Sequence, residues 1–180
     1  MDPFATLGIA RSYDLDLTAV EKTHRDLSRA THPDRFVRAG PSERRAALAK
    51  AVEVNEAWRI VRDPIRRAEA LLALQGVVVG EEGEPKADPE FLMEMLEQRE
   101  ALADARQAKD LGAVRKMAQA IEQRSREVER ALAQGFASGI AGSSLVGKVG
   151  ELRFFRRFLD EVSSAEDDAL QAPQAEGTTP

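Results

Sequence analysis

The feature that most constrains this chain is its periodicity. From Thr18 almost to the C-terminus apolar residues return every three or four positions, while strand-like runs such as Val77-Val78-Val79 are too short to build a sheet. The fold class that follows is all-α. A short apolar turn around Phe4 to Ile9 precedes a helix whose start is expected at Thr18, where Thr18-x-x-Glu21 forms a capping box. Its apolar stripe is Val20, Leu27 and Ala30. Pro33 pushes His32 out of the helical region, so this helix ends just before His32. A basic loop runs from His32 to Pro41 and contains Gly40. The next helix then begins near Ser42 and carries Leu48, Val52, Ile60 and Val61. Asp63-Pro64 sets an N-cap and a first-turn proline for a short helix to about Leu74.

Gly, Pro and Glu dominate the stretch 76–87, which reads as a linker. Asp88-Pro89 repeats the cap-and-proline device and opens a long helix. Two more helices are expected at about 110–134 and 144–164, separated by Gly135 to Gly142. Val114, Met117, Ile121, Val128 and Leu132 form the stripe of the first, and Leu145, Val149, Leu152 and Leu159 that of the second. Three antiparallel helices with short connections imply a three-helix bundle over 88–164. Residues 1–75 form an N-terminal domain, and 165–180, acidic and then Gln/Pro/Gly/Thr-rich, a disordered tail.

Composition removes whole classes of function. The chain has no cysteine, which excludes disulfides, a thiolate nucleophile, Cys-ligated zinc and a self-ligated iron–sulfur cluster. No metal site and no cofactor are expected, and any metal chemistry belongs to a partner. With two histidines, no Gly-rich phosphate loop and no Ser/His/Asp arrangement, an enzyme is poorly supported. A net charge of -5 and few aromatics speak against nucleic acid. No run of eighteen apolar residues and no secretory leader is found, so no membrane partner and a cytoplasmic location are expected. The charge is uneven: residues 1–75 hold 13 Lys/Arg against 11 Asp/Glu, and the remainder 13 against 20. The two halves suit different partners.

His32-Pro33-Asp34 sits between two helices, with Phe4-x-x-Leu7-Gly8-Ile9 upstream and Asn55-Glu56-Ala57-Trp58 downstream. This constellation resembles the J domain of DnaJ-class co-chaperones, a helical hairpin with the His-Pro-Asp loop at its tip. At 100° per residue Lys22, Arg25 and Arg29 fall at about 0°, 300° and 340°, a basic face, while Val20 and Leu27 fall near 150°. The candidate chaperone-binding set is Lys22, Arg25, Arg29, His32, Pro33 and Asp34; the plain alternative is a solvated charged face. His24, on the apolar side, is expected to be packed and hydrogen-bonded rather than a ligand or base. It stands where J domains carry an aromatic, as Thr31 stands in place of a Tyr.

Asp88-Pro89-Glu-Phe91-Leu92-Met93-Glu-Met-Leu96-Glu97-Gln-Arg99-Glu100 closely resembles the first helix of the C-terminal domain in the HscB family, the J-proteins of bacterial iron–sulfur cluster biogenesis. Arg62-Asp63-Pro64-Ile-Arg-Arg67-Ala68-Glu69-Ala-Leu-Leu72 resembles that family's junction between domains. The resemblance spans about residues 2–164 and implies an L-shaped pair of domains. It implies a non-enzymatic activator of an HscA/DnaK-type ATPase chaperone that delivers an IscU-like iron–sulfur scaffold to it. The alternative is a J-protein for another client, its bundle a client-binding or dimerisation module, with the chain a monomer or weak dimer.

Helical geometry supports the scaffold face. Around the helix axis Leu92, Leu96, Glu100, Met93, Asp104 and Glu97 follow one another, in that order, within a single arc of about 140°. Phe91, Met95 and Leu102 cluster on the other side of the same helix. The helix thus has two apolar stripes, one for its own core and one, mixed with acids, for a partner. In the bland alternative Leu92, Met93 and Leu96 widen the core. Asp104 stands where the family typically has Glu. Phe154, roughly opposite the stripe of the last helix, completes the candidate scaffold set, with Phe155 and Phe158 as possible substitutes.

Overall fold

The computed structural model describes residues 1–77, 79 and 88–171. Among them all regular structure is helical: α1 (Pro3–Leu7), α2 (Leu17–Ala30), α3 (Pro41–Arg62), α4 (Pro64–Leu74), α5 (Pro89–Gln107), α6 (Leu111–Ala137) and α7 (Val146–Gln171). Single 3₁₀ turns occupy Pro33–Phe36 and Gly142–Ser144. Aspartates start most of the helices. Asp2, Asp16, Asp63 and Asp88 each accept hydrogen bonds from amides of the first turn at 2.9–3.2 Å. Asp63 and Asp88 do so as the sequence predicts. The start of α2 differs from expectation: Asp16, not Thr18, is the cap. A carboxylate accepts two first-turn amides and complements the helix dipole, so it prevails over a hydroxyl two residues later. At α3 the Gly40 amide donates to the Glu43 carboxylate at 3.3 Å, and the helix begins at Pro41.

By packing the chain divides into two compact units, Met1–Glu84 with Glu129–Val149, and Pro85–Val128 with Gly150–Pro180. In the first unit Phe4, Leu7, Val20, Val54, Ala57, Val61 and Leu72 are buried. Along α3, Ala47, Val54, Ala57 and Val61 lie within about 40° of one direction. Leu48 and Val52, predicted in this stripe, fall on the opposite side of the helix and are exposed. Beneath this layer Tyr13 is buried, stacked on Phe136 with ring centroids 5.7 Å apart. The guanidinium of buried Arg67 also covers the tyrosine, 4.7 Å from the Tyr13 centroid, and donates to the Val61 carbonyl at 2.8 Å. Burial raises the Tyr13 phenol above its ordinary pKa, and the Glu129 carboxylate adds to the rise.

Gly135 does not end α6, as expected of a glycine there; the helix runs on to Ala137. Gly135 is needed for close approach, since a β-carbon on it would meet Leu145 Cδ2 at 2.6 Å. The stop comes at Gly139, at φ +70°, where the Ile140 amide caps the Gly135 carbonyl at 3.1 Å. Gly142 is similarly confined: a β-carbon would lie 2.9 Å from Cδ2 of the fully buried Leu72 and 2.5 Å from Gln75 Oε1. Gly142→Ala should therefore lower stability by about 1–3 kcal/mol through overpacking, measured by urea unfolding.

The second unit buries Met95, Leu102 and Ala105 of α5, Val114, Ile121 and Val128 of α6, and Leu152, Phe155, Phe158 and Val162 of α7. Asp110 caps α6 at the Ala113 amide, 2.9 Å away. Arg124 makes a bidentate pair with Glu94 at 2.5 and 2.9 Å and lies over Phe155, 5.2 Å from its centroid. Arg99 of α5 pairs with Glu161 of α7. The stripe expected for α7 is corrected at its C-terminal end: Leu159 is only half-buried, and Phe155 and Phe158 take the core. Helix α7 also extends to Gln171, past the Ala165 at which irregular chain was expected, because alanine, leucine and glutamine are strong helix formers. Of the predicted linker, residues 78 and 80–87 lie outside the described residues, as do 172–180 of the tail.

Candidate functional site

In the first unit the hairpin of α2 and α3 ends in the turn that begins at His32. Thr31 closes α2 with its amide and hydroxyl on the Leu27 carbonyl, at 3.0 and 2.9 Å. His32 is extended (φ -62°, ψ 131°), as a residue before proline must be, and Pro33 starts the 3₁₀ turn. The Asp34 amide donates to His32 Nδ1 at 3.3 Å, and the Asp34 carboxylate Oδ2 lies 3.5 Å from the same nitrogen. The turn is thus stiff, while its functional groups face water: the side chains of His32 and Asp34 are 58% and 86% exposed.

Lys22, Arg25 and Arg29 lie on the side of α2 away from Val20, with Arg25 and Arg29 exposed. Arg25 pairs with Glu21 at 2.5 Å and Arg29 with Asp26 at 3.7 Å. Such surface pairs contribute well under about 1 kcal/mol each, so a partner's carboxylates can displace them at little cost. On the inner side, half-buried His24 stacks on Trp58 at 5.4 Å and its Nε2 lies 3.0 Å from Asn55 Oδ1 and 3.1 Å from Ser28 Oγ. His24 is packed and hydrogen-bonded, tying α2 to α3 and holding the basic face outward.

In the second unit α5 presents two faces. Met95, Leu102 and Ala105 are buried, whereas Leu92, Met93 and Leu96 are 41%, 59% and 51% exposed, and Glu97, Glu100 and Asp104 lie exposed beside them. Leu92, Met93 and Leu96 therefore do not widen the core of this unit. Among the three phenylalanines of α7, Phe155 and Phe158 are each 1% exposed, which leaves Phe154 at the surface. Phe154 is half-buried, edge-on to Phe91 with centroids 5.6 Å apart. Phe91, expected wholly in the core, is itself half-buried because its ring spans Phe154 and Phe155.

Leu92, Leu96, Met95, Phe154 and Phe158 wall a cleft of about 150 Å³, and Arg99 and Arg157 stand at it. Neither arginine stands out in the sequence. The signal is nevertheless there, since Arg99 falls within about 20° of Leu92 around the helix axis, and Arg157 lies one turn after Phe154. Among the described residues no cluster of three or more His, Cys, Asp or Glu is placed to hold a metal ion, and no helix is long and apolar enough to cross a membrane.

Residues 87–163 match the family model of the HSCB C-terminal oligomerisation domain. The co-chaperone protein HscB homolog of Cupriavidus taiwanensis is 36% identical over 166 residues, covering 92% of this chain and 94% of the relative. The homolog of Azoarcus sp. is 34% identical over 171 residues, 95% of this chain and 94% of the relative. Among solved structures, the chaperone HscB from Vibrio cholerae superposes with a TM-score of 0.84 at 29% identity, over 94% of this chain and 99% of that one. With the His-Pro-Asp turn in one unit, the two-faced α5 in the other and similarity that runs nearly end to end, the chain belongs to the HscB family, co-chaperones of iron–sulfur cluster assembly.

Proposed function

We propose that the protein links two partners without chemistry of its own. His32, Pro33 and Asp34, with Lys22, Arg25 and Arg29, dock an HscA/DnaK-type chaperone and stimulate its ATPase. Leu92, Met93, Leu96, Glu97, Glu100, Asp104 and Phe154 hold an IscU-like scaffold and deliver it to that chaperone. The observation that carries this reading is the exposed apolar strip on α5, which is surplus to the core already formed by the helix's other face. Three large apolar side chains exposed in one strip, bordered by acids, form the kind of surface a protein partner covers.

The first contact needs only a higher affinity for the hydrolysing conformation of the chaperone than for the resting one. The second raises the scaffold's concentration beside the chaperone, as any tethered pair of sites does. Steady-state ATPase assays of the cognate chaperone test both. This protein alone should stimulate turnover, the scaffold alone should do less, and the two together should exceed the sum; additive or absent stimulation rejects the linkage.

A second reading, in which the strip joins copies of this chain, draws on the description of the matched family model as an oligomerisation domain. Sedimentation equilibrium separates the two. A monomer that binds scaffold favours delivery, and a dimer dissociated by Leu92→Ala with Leu96→Ala favours self-association.

A further inference from the structure

On an isolated helix the natural partner of Arg157 is Glu161, four residues on. In this structure Glu161 is taken by Arg99, which donates to it through both Nε, at 3.2 Å, and Nη2. Glu161 in turn raises the pKa of Arg99 above its ordinary value. Arg157 is exposed, has no carboxylate within ion-pair distance among the described residues, and lies with its guanidinium carbon 5.7 Å from the Phe154 centroid. A guanidinium beside an aromatic ring keeps its N–H groups available to a carboxylate, which it can receive through two of them at once.

Its surroundings say what kind of carboxylate. Arg157 lines the same cleft as Leu92, Leu96 and Phe154, whose volume of about 150 Å³ suits one large apolar side chain. Across the exposed strip the opposite rim is acidic, with Glu97, Glu100 and Asp104 on α5. The face therefore has a negative rim, an apolar centre and a cation at the cleft.

We infer that Arg157 is a specificity-determining contact of this face: it receives an acidic side chain of the partner that adjoins the apolar side chain entering the cleft. The recognised segment is thus an apolar residue flanked by Asp or Glu, and its orientation is set by the two oppositely charged rims. The inference rests on the scaffold-binding role proposed for the same face.

The test is titration of the full-length protein with the purified IscU-like scaffold at low and high salt. Arg157→Glu should weaken binding about tenfold at low salt, Arg157→Gln about threefold, with both gaps narrowing at high salt and an unchanged thermal midpoint. Arg157→Lys, which keeps the charge and loses the fork, should fall between wild type and Arg157→Gln, its remaining affinity sensitive to salt. Wild-type or tighter binding by Arg157→Glu at low salt overturns the inference. So does an equal, salt-insensitive loss in Arg157→Glu and Arg157→Lys, which would assign the residue to packing on Phe154. Undiminished binding by the Leu92→Ala, Leu96→Ala protein instead overturns the scaffold role of the face, and the Arg157 contact with it.

Discussion

His32→Gln should abolish stimulation of the partner chaperone's ATPase, by more than about tenfold, while scaffold binding stays at the wild-type value. The structure separates these outcomes. His32 is exposed, and within the turn its Nδ1 accepts the Asp34 amide at 3.3 Å and lies 3.5 Å from Asp34 Oδ2. A glutamine carbonyl oxygen can accept the same bond, and Pro33 still fixes the turn, so the loop and the hairpin survive. What disappears is the imidazole offered at the tip of a rigid turn next to an exposed carboxylate. An interfacial polar group of this kind costs about 2–5 kcal/mol when one side is removed and its mate is left buried. Loss of stimulation together with loss of folding, seen by circular dichroism, would assign His32 to the fold. Full stimulation by the variant would remove the J-domain role.

Leu92→Ala with Leu96→Ala should weaken scaffold binding by roughly 30-fold or more, since truncating buried interface anchors costs about 1–2 kcal/mol each. Both side chains are about half in water in the free protein, so little core packing is given up. Alanine is also the strongest helix former, which keeps α5 helical. Titration calorimetry beside thermal unfolding checks the pair. A large fall in stability with binding preserved would return both leucines to the core. The contrast is Phe155 or Phe158, each 1% exposed, where truncation to Ala costs about 3–5 kcal/mol of stability.

Much of this architecture can be read from local chemistry. Asp63-Pro64 and Asp88-Pro89 start α4 and α5 because a cap and a first-turn proline act within four residues, wherever the helix ends up. The two faces of α5 are equally local, since a constant turn per residue places Met95 and Leu92 without knowledge of any neighbour. Illegible features depend on residues distant in sequence. Gly135 reads as a break, yet α6 passes through it, and its lack of a side chain serves Leu145, which needs the space a β-carbon would fill. The run Phe154-Phe155 with Phe158 leaves the phase of α7 ambiguous until α5 and α6 show which rings are covered. Leu48 and Val52 match a helical period as well as Ala47 and Val54 do, and only the packing of α1 and α2 on α3 decides between them. Asp16 is hard to pick out at α2 because two acceptors compete there and the stronger one prevails. At the candidate sites the side chains proposed for docking are visible as exposed exceptions to a pattern, whereas the role inferred for Arg157 follows only from Glu161 being already engaged with Arg99.

The two-faced helix α5 has a consequence for how this chain can change over time. Its exposed strip and its core residues are interleaved on one continuous rod, so their relative angle is set by counting, not by any contact between them. Replacing a surface residue leaves that angle untouched. Adding or removing one residue between Leu96 and Glu100 turns everything beyond it by about 100°, carrying Glu100 and Asp104 out of line with Leu92 as Leu102 leaves the core. Composition along the exposed strip is therefore free to drift with the partner, while the number of residues in this stretch is not.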